Sequence, residues 1–263
     1  MQLGLGQPKV SDTTNILEIK IPKEMETPIN TGHPHMNRLF SETGVIAGSV
    51  VLVTGDPGAG KSTLMASFGD CLTGKNHLAI YVTGEESVYQ VRRTVKRLGL
   101  KHGFIPSYQV EAEAIIEHCE RLRVVEAKKP AKKRRKIFLI IDSLQCLRVR
   151  PTGKKGRPPS EEKQQMAALS MLTEYAKNNW MPTFFIGHVT KNGTFAGKNT
   201  VKHIIDCHLH LSVEVDDEGF ERRILEMSKN RFGPTGLFYE ADMTAKGLVF
   251  ESDTAKSRKA DDK

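Results

Sequence analysis

The chain has 263 residues, 38% hydrophobic and 27% charged, which suits one large α/β domain and excludes a disordered or fibrous protein. No apolar run approaches the roughly 20 residues that span a bilayer, and the N-terminus lacks the basic-then-apolar order of a secretory signal, so a cytoplasmic protein without membrane contact is expected. A net charge of +8 favours polyanionic partners, and Cys71, Cys119, Cys146 and Cys207 contain no C-x-x-C pair, which leaves them as small buried hydrophobes.

Asn15 to Lys23 alternates weakly, as an arm or edge strand does. Pro28 to Gly32 reads as a turn and His35 to Phe40 as a short helix. Ser49 to Thr54 is a continuous apolar run bounded by glycines, the pattern of a strand buried on both faces. A helix from Lys61 to about Leu72 follows, then a buried strand over Leu78 to Val82 and an amphipathic helix over Ser87 to Leu98 that stops at Gly99. Ile115 to Val125 suits a helix, Ile137 to Ile141 a strand, Glu161 to Asn178 a long helix, and Pro182 to Gly187 another strand. Beyond Ile204, His208 to Val215, Glu221 to Ser228, Leu237 to Glu240 and Gly247 to Glu251 read as antiparallel strands. The fold expected is α/β: a mostly parallel twisted sheet with helices on both faces and an antiparallel C-terminal edge. Its expected division is an arm over 1–27, a core over 28–251 and a polar disordered tail over 252–263.

Gly55-Asp56-Pro57-Gly58-Ala59-Gly60-Lys61-Ser62-Thr63 fits G-x-x-x-x-G-K-[ST] between a buried strand and a helix. The glycines let backbone amides converge on an anion, Lys61 reaches the terminal phosphates, and the Ser62 hydroxyl can ligate Mg²⁺. ATP and Mg²⁺ are the expected ligands. Asp142, closing the strand Ile137 to Ile141, is placed to hold the metal's hydration shell with Ser62. Glu85 and Glu86 follow a third strand, where a carboxylate can orient a water for attack on the γ-phosphate; Glu85, directly after Gly84, is the first choice, and two acids favoured by a helix N-terminus are the plain alternative. His188 closes a fourth strand and can sense the γ-phosphate. Basic residues crowd Lys128 to Lys136 and Arg148 to Arg157, and the loop from Thr190 to Lys198 carries Lys191 and Lys198; such loops can track a phosphate backbone or serve as solvated surface. Cys207, His208 and His210, or His33 with His35, lack the further ligands of a zinc site.

From about Pro28 to Phe250 these segments resemble the ATPase core of the bacterial RadA/Sms recombination ATPases, of the RecA-like superfamily. The resemblance rests on the phosphate loop, Tyr81-Val82-Thr83-Gly84-Glu85-Glu86-Ser87, Ile141-Asp142-Ser143-Leu144-Gln145, Gly187-His188-Val189-Thr190-Lys191-Asn192-Gly193-Thr194 and Lys229-Asn230-Arg231-Phe232-Gly233-Pro234-Thr235. It implies a DNA-dependent ATPase that forms hexameric rings on single-stranded DNA and drives branch migration as a helicase-like motor, alongside other recombination or replication proteins. It places Lys229 and Arg231 at the subunit interface, acting on a neighbour's γ-phosphate, and makes Arg148, Arg150, Lys154, Lys155, Arg157 and Lys191 the candidate DNA contacts. The family's N-terminal four-cysteine zinc module and its Lon-like C-terminal domain have no counterpart here, its Asp before the phosphate loop corresponds to Asn37, and the basic run Lys128 to Lys136 departs from its pattern. A core of this kind would suit a phage or mobile element acting at the host nucleoid. The doubled Glu85-Glu86 also resembles KaiC-like ATPases, so the alternative is a nucleotide-gated DNA-binding assembly protein or recombination mediator without strand displacement.

Overall fold

The computed structural model describes residues 14–151, 159–188, 201, 203–215, 219–252 and 255–257. Val50–Gly55 (β1) carries no charge and is buried along its whole length, as a strand covered on both faces must be. Leu78–Thr83 (β2), Ile137–Asp142 (β4) and Thr183–Ile186 (β5) are buried in the same way, while Ile105–Ser107 (β3) is a short edge strand. Cys207–Val215 (β6), Glu221–Asn230 (β7), Leu237–Thr244 (β8), Gly247–Phe250 (β9) and Lys256–Ser257 (β10) complete one sheet in the order β10-β8-β7-β6-β1-β5-β4-β2-β3, with β9 also on β8. Pairing is parallel from β3 through β6 and antiparallel from β7 onward.

Alternation along the strands assigns two cores. Val51, Val53, Phe138, Ile140 and Phe184 face the helices Pro34–Ser41 (α2) and Lys61–Gly74 (α3). Val50, Leu52, Leu139, Ile141 and Phe185 face Ala112–Ala127 (α5) and Glu161–Asn178 (α6). Each such side chain contributes about 1.5–3 kcal/mol relative to exposure, so the sheet is the rigid platform of the molecule. Val88–Leu98 (α4) begins with a capping box: the Gln90 amide N–H donates to the Ser87 hydroxyl, and the Ser87 N–H donates to the Gln90 side chain. That box fixes the end of the segment that carries Glu85 and Glu86.

Asn15 to Lys23, expected as an arm or edge strand, forms no strand. Asn15 caps a 3-10 turn, Ile16–Glu18, and Pro22 opens a single helical turn, Lys23–Glu26 (α1). The tail expected to be disordered contains β10, where Lys256 pairs with Glu240 at 2.6 Å. Helix α5 starts at Ala112, earlier than expected, because Glu111 and Arg148 form a parallel bridge and the Ala112 N–H donates to the Arg148 carbonyl.

Candidate functional site

The pairs Thr83↔Asp142, Asp142↔Ile186 and Val53↔Ile186 align the carboxyl ends of β1, β2, β4 and β5. Open α/β sheets bind ligands along this edge. The residues that leave these ends therefore converge: Asp56 to Gly60, Gly84 to Glu86, Ser143, and Gly187 with His188.

A Cβ on Gly55 would lie 1.9 Å from the Leu211 carbonyl oxygen, so glycine is required where β1 turns against β6. Gly60 caps α3 in the left-handed region, at φ 104°. The Asp56 carboxylate accepts from the Val213 N–H at 2.8 Å, so its side chain ties the loop to β6 and leaves only its backbone for a ligand. Pro57 and Gly58 form the exposed crest, Ala59 is buried, and the first turn of α3 supplies amides without helical partners. Lys61 is 7% exposed, and its Nζ donates to the Gly55 and Asp56 carbonyls at 2.8 and 2.9 Å. Burial lowers its pKa against the opposing pull of Asp56, Asp142 and Glu85. An ammonium held by two carbonyls and desolvated in this way gains by exchanging them for phosphate oxygens.

Asp142 is nearly buried and accepts the Tyr81 O–H at 2.6 Å. Burial, and then the Asp142 charge and hydrogen bond, hold the Tyr81 phenol well above its ordinary pKa, while its hydrogen bond with Ser62 works the other way. Tyr81 thus holds Asp142, one of the two oxygen donors expected for Mg²⁺. A carboxylate and a hydroxyl beside a phosphate cradle are the hard donors that ion takes, so the residues fit it. Thr63 continues the first turn of α3, close to Gly247 of β9.

Glu85 receives hydrogen bonds from the Ser143 hydroxyl and from His188 Nε2, the latter at 2.8 Å. Burial favours its neutral form, but the bonds from Ser143 and His188 and the charges of His188 and Lys61 outweigh it, so its pKa lies below the ordinary value. Glu86 is exposed; its carbonyl accepts the Thr83 hydroxyl, and its carboxylate has no hydrogen bond or ion pair among the described residues. Between the two expected bases, the geometry brings only Glu85 into the cluster. Ser143 and Tyr81 belong to the site without having been singled out by sequence. Ser143 was legible only as the neighbour of Asp142, and Tyr81 only as the inward residue two positions before Thr83.

Elsewhere the expected residues are tied up or lie outside the described part. Lys154, Lys155 and Arg157 fall within 152–158, and Lys191 and Lys198 within 189–200, beyond the described residues. Arg148 and Arg150 are engaged by carboxylates of α5 and its cap: Arg150 meets Glu117 at 2.7 Å and Glu111 at 3.3 Å, and Arg148 lies 3.7 Å from Glu111. Solvent screens exposed pairs of this kind, so phosphate can compete for either guanidinium. His33 is a core histidine, lowered to about 4 by burial and by His35. No cluster of three or more His, Cys, Asp or Glu side chains at metal-ligand spacing occurs among the described residues.

The basic run is organised by a buried acid. Glu126 accepts from Lys129 at 2.7 Å and from the Arg135 guanidinium at 2.8 Å. Burial opposes its charge, but these bonds hold its pKa down to about 2 from 4.5. A depressed carboxylate stabilises the fold above its unfolded pKa and ceases to do so as pH falls through its folded one. The melting temperature should therefore decline between about pH 4.5 and pH 2 through this group. In Glu126→Gln the loss over that window should be visibly smaller; an identical acid limb in thermal melts of both proteins would contradict this.

Lys229 and Arg231 lie at the amino ends of β1 and β6, the opposite edge from the phosphate loop. Lys229 Nζ donates to the Ile205 carbonyl at 2.7 Å, and Arg231 meets Asp206 Oδ1 at 3.1 Å. Asp206, buried, also holds Lys177 at 3.0 Å and accepts the Val50 N–H at 3.0 Å. Nothing in the sequence singled out Asp206 or Lys177.

A family model described as "ATPase: KaiC" matches residues 29–249. The DNA repair protein RadA of Haemophilus influenzae is 36% identical over 226 residues, 85% of this chain and 45% of that protein. RadA of Bacillus subtilis is 32% identical over 224 residues, with the same shares, and RadA of Streptococcus pyogenes 37% over 209 residues, 78% of this chain and 42% of that protein. The chain thus spans under half the length of these relatives. The crystal structure of a KaiC-like protein from Pyrococcus horikoshii shares the fold, with a TM-score of 0.62 at 20% identity over 86% of this chain and 99% of the other.

Proposed function

This chain belongs to the KaiC ATPase family as a RadA-type ATPase core, and from that premise we propose that it is a DNA-dependent ATPase that acts on single-stranded DNA in homologous recombination and repair, as a ring-forming motor. The observation that carries the reading is the bond between Glu85 and His188. His188 directly precedes the segment 189–200, which carries Lys191 and Lys198, so a strand held by those lysines would pull on the partner of the proposed base. The relatives named as DNA repair proteins support the choice of process.

In the proposed reaction the amides of the loop and of α3 hold the phosphates, and Lys61 leaves the Gly55 and Asp56 carbonyls for the terminal oxygens. Glu85 orients a water and takes its proton as the water oxygen bonds to the γ-phosphorus and the bond to ADP breaks. Ser143 and His188 hold Glu85 in place. Asp142 and Ser62 would hold Mg²⁺, which when bound neutralises phosphate charge. Arg148, Arg150, Lys154, Lys155, Arg157, Lys191 and Lys198 are the proposed DNA contacts.

ATP turnover should rise severalfold on adding a single-stranded oligonucleotide at low salt, and the particle mass in ATP should be that of a ring. Turnover indifferent to DNA under those conditions would remove the motor reading. The lowered pKa of Glu85 favours a second reading, because a weaker base hydrolyses slowly: ATP would gate assembly on DNA without displacing a strand. Displacement of a labelled strand distinguishes the two.

A further inference from the structure

At the amino ends of β2 and β4, the edge away from the ATP crevice, a cavity of about 360 Å³ opens between the basic run and the turn that joins α6 to β5. We propose that this cavity is a second nucleic-acid site, in which a base of a single strand stacks on Trp180 while Arg134 and Lys136 hold its phosphate. The volume is that of a small-molecule pocket.

Trp180 is the only tryptophan of the chain, lines the cavity and is half-buried. Its φ of 53° lies in the left-handed region, which costs a large aromatic residue conformational energy and is kept only where the surroundings enforce it. The charges around it are unevenly spent. Arg135 is consumed by Glu126 and Arg123 by Glu120, at 2.8 and 2.6 Å. Arg134 and Lys136 have no carboxylate partner among the described residues; Arg134 gives only its Nε–H to the Lys129 carbonyl, at 3.0 Å. The other lining acid, Glu24, forms no ion pair among the described residues. The lining therefore keeps more positive than negative charge beside the indole of Trp180, which packs on the core and borders the cavity.

That combination selects the ligand class. A phosphate backbone satisfies Arg134 and Lys136, and an unstacked base satisfies Trp180, which is the pairing of charge and ring used for single strands. In a duplex the bases stack on one another and offer the ring no face. An acidic peptide answers the charges and leaves the indole without a partner. The site does not depend on the ATP reading, since it lies a strand's length from the crevice and can fill whether or not DNA stimulates turnover.

Trp180 fluorescence reports on this site alone. Titration with oligo(dT), without nucleotide, should quench it saturably. In Arg134→Ala/Lys136→Ala the affinity read by quenching should fall at least tenfold, and the slope of log K against log salt should shrink by about 1.4. ATP turnover without DNA should stay unchanged in that variant. An oligonucleotide carrying 5-iododeoxyuridine should photo-crosslink to Trp180 of the unaltered protein, which decides the matter even if the double variant folds poorly. Absence of quenching, equal quenching by polyglutamate or by duplex, an unaffected double variant, or crosslinks confined to other residues would each overturn the proposal.

Discussion

Glu85→Gln should lower ATP turnover by about 10²–10⁴-fold while leaving nucleotide affinity within a fewfold of the unaltered protein. The substituted amide still offers an oxygen to Ser143 and His188, which both donate to Glu85 Oε1, so the side chain keeps its place and loses only its basicity. The phosphate cradle is built from β1 and α3 and does not involve Glu85. Glu86→Gln should change turnover less than threefold, because the Glu86 carboxylate takes no part in the cluster. Full activity in Glu85→Gln, or sensitivity at Glu86 in its place, would reverse the assignment. The pH profile gives a second reading. With its pKa held below 4.5, Glu85 stays ionised through the neutral range, and turnover should fall only as pH drops below the ordinary carboxylate region. In His188→Ala one hydrogen bond and one charge that lower that pKa are gone, so the acid limb should move to higher pH.

Much of this site was legible because its parts are local. The phosphate loop is contiguous, and a parallel strand buried on both faces announces itself as an apolar run, so β1, β2, β4 and β5 could be placed and with them the residues that end them. β3 could not: it is short, and its Pro106 breaks the pattern of a ladder strand. Tyr81 reaches Asp142 only through the register of β2 on β4, between residues far apart in the chain. Arg148 and Arg150 looked like open positive charge because their sequence neighbours are basic. Their partners, Glu111 at the cap of α5 and Glu117 on it, stand more than thirty residues upstream. Charge along a sequence says nothing about charge across a fold, and the same holds for Glu126 among Lys129 and Arg135.

Arg231→Ala should reduce turnover by about 10³-fold or more, the scale of an arginine that meets transition-state charge, and the loss should be repairable by a neighbour. Arg231 follows β7 at the amino end of β1, whereas Lys61 follows its carboxyl end, and a six-residue strand separates them by roughly 17 Å. Arg231 therefore cannot serve the phosphate loop of its own chain. It is, however, free to leave its present partner. Asp206 is 4% exposed and Lys177 11%, but Arg231 is 49% exposed, and when it swings away Asp206 keeps Lys177 and the Val50 N–H. No buried charge is stranded, and the guanidinium that leaves is already half in solvent. Mixing Arg231→Ala chains with Lys61→Ala chains, each inactive alone, should restore activity, since random assembly in a head-to-tail ring completes about one quarter of the sites. Activity near that of the unaltered protein in Arg231→Ala alone would remove the residue from catalysis. Silence in every mixture, with mixed rings verified by native mass, would confine it to a structural bond with Asp206.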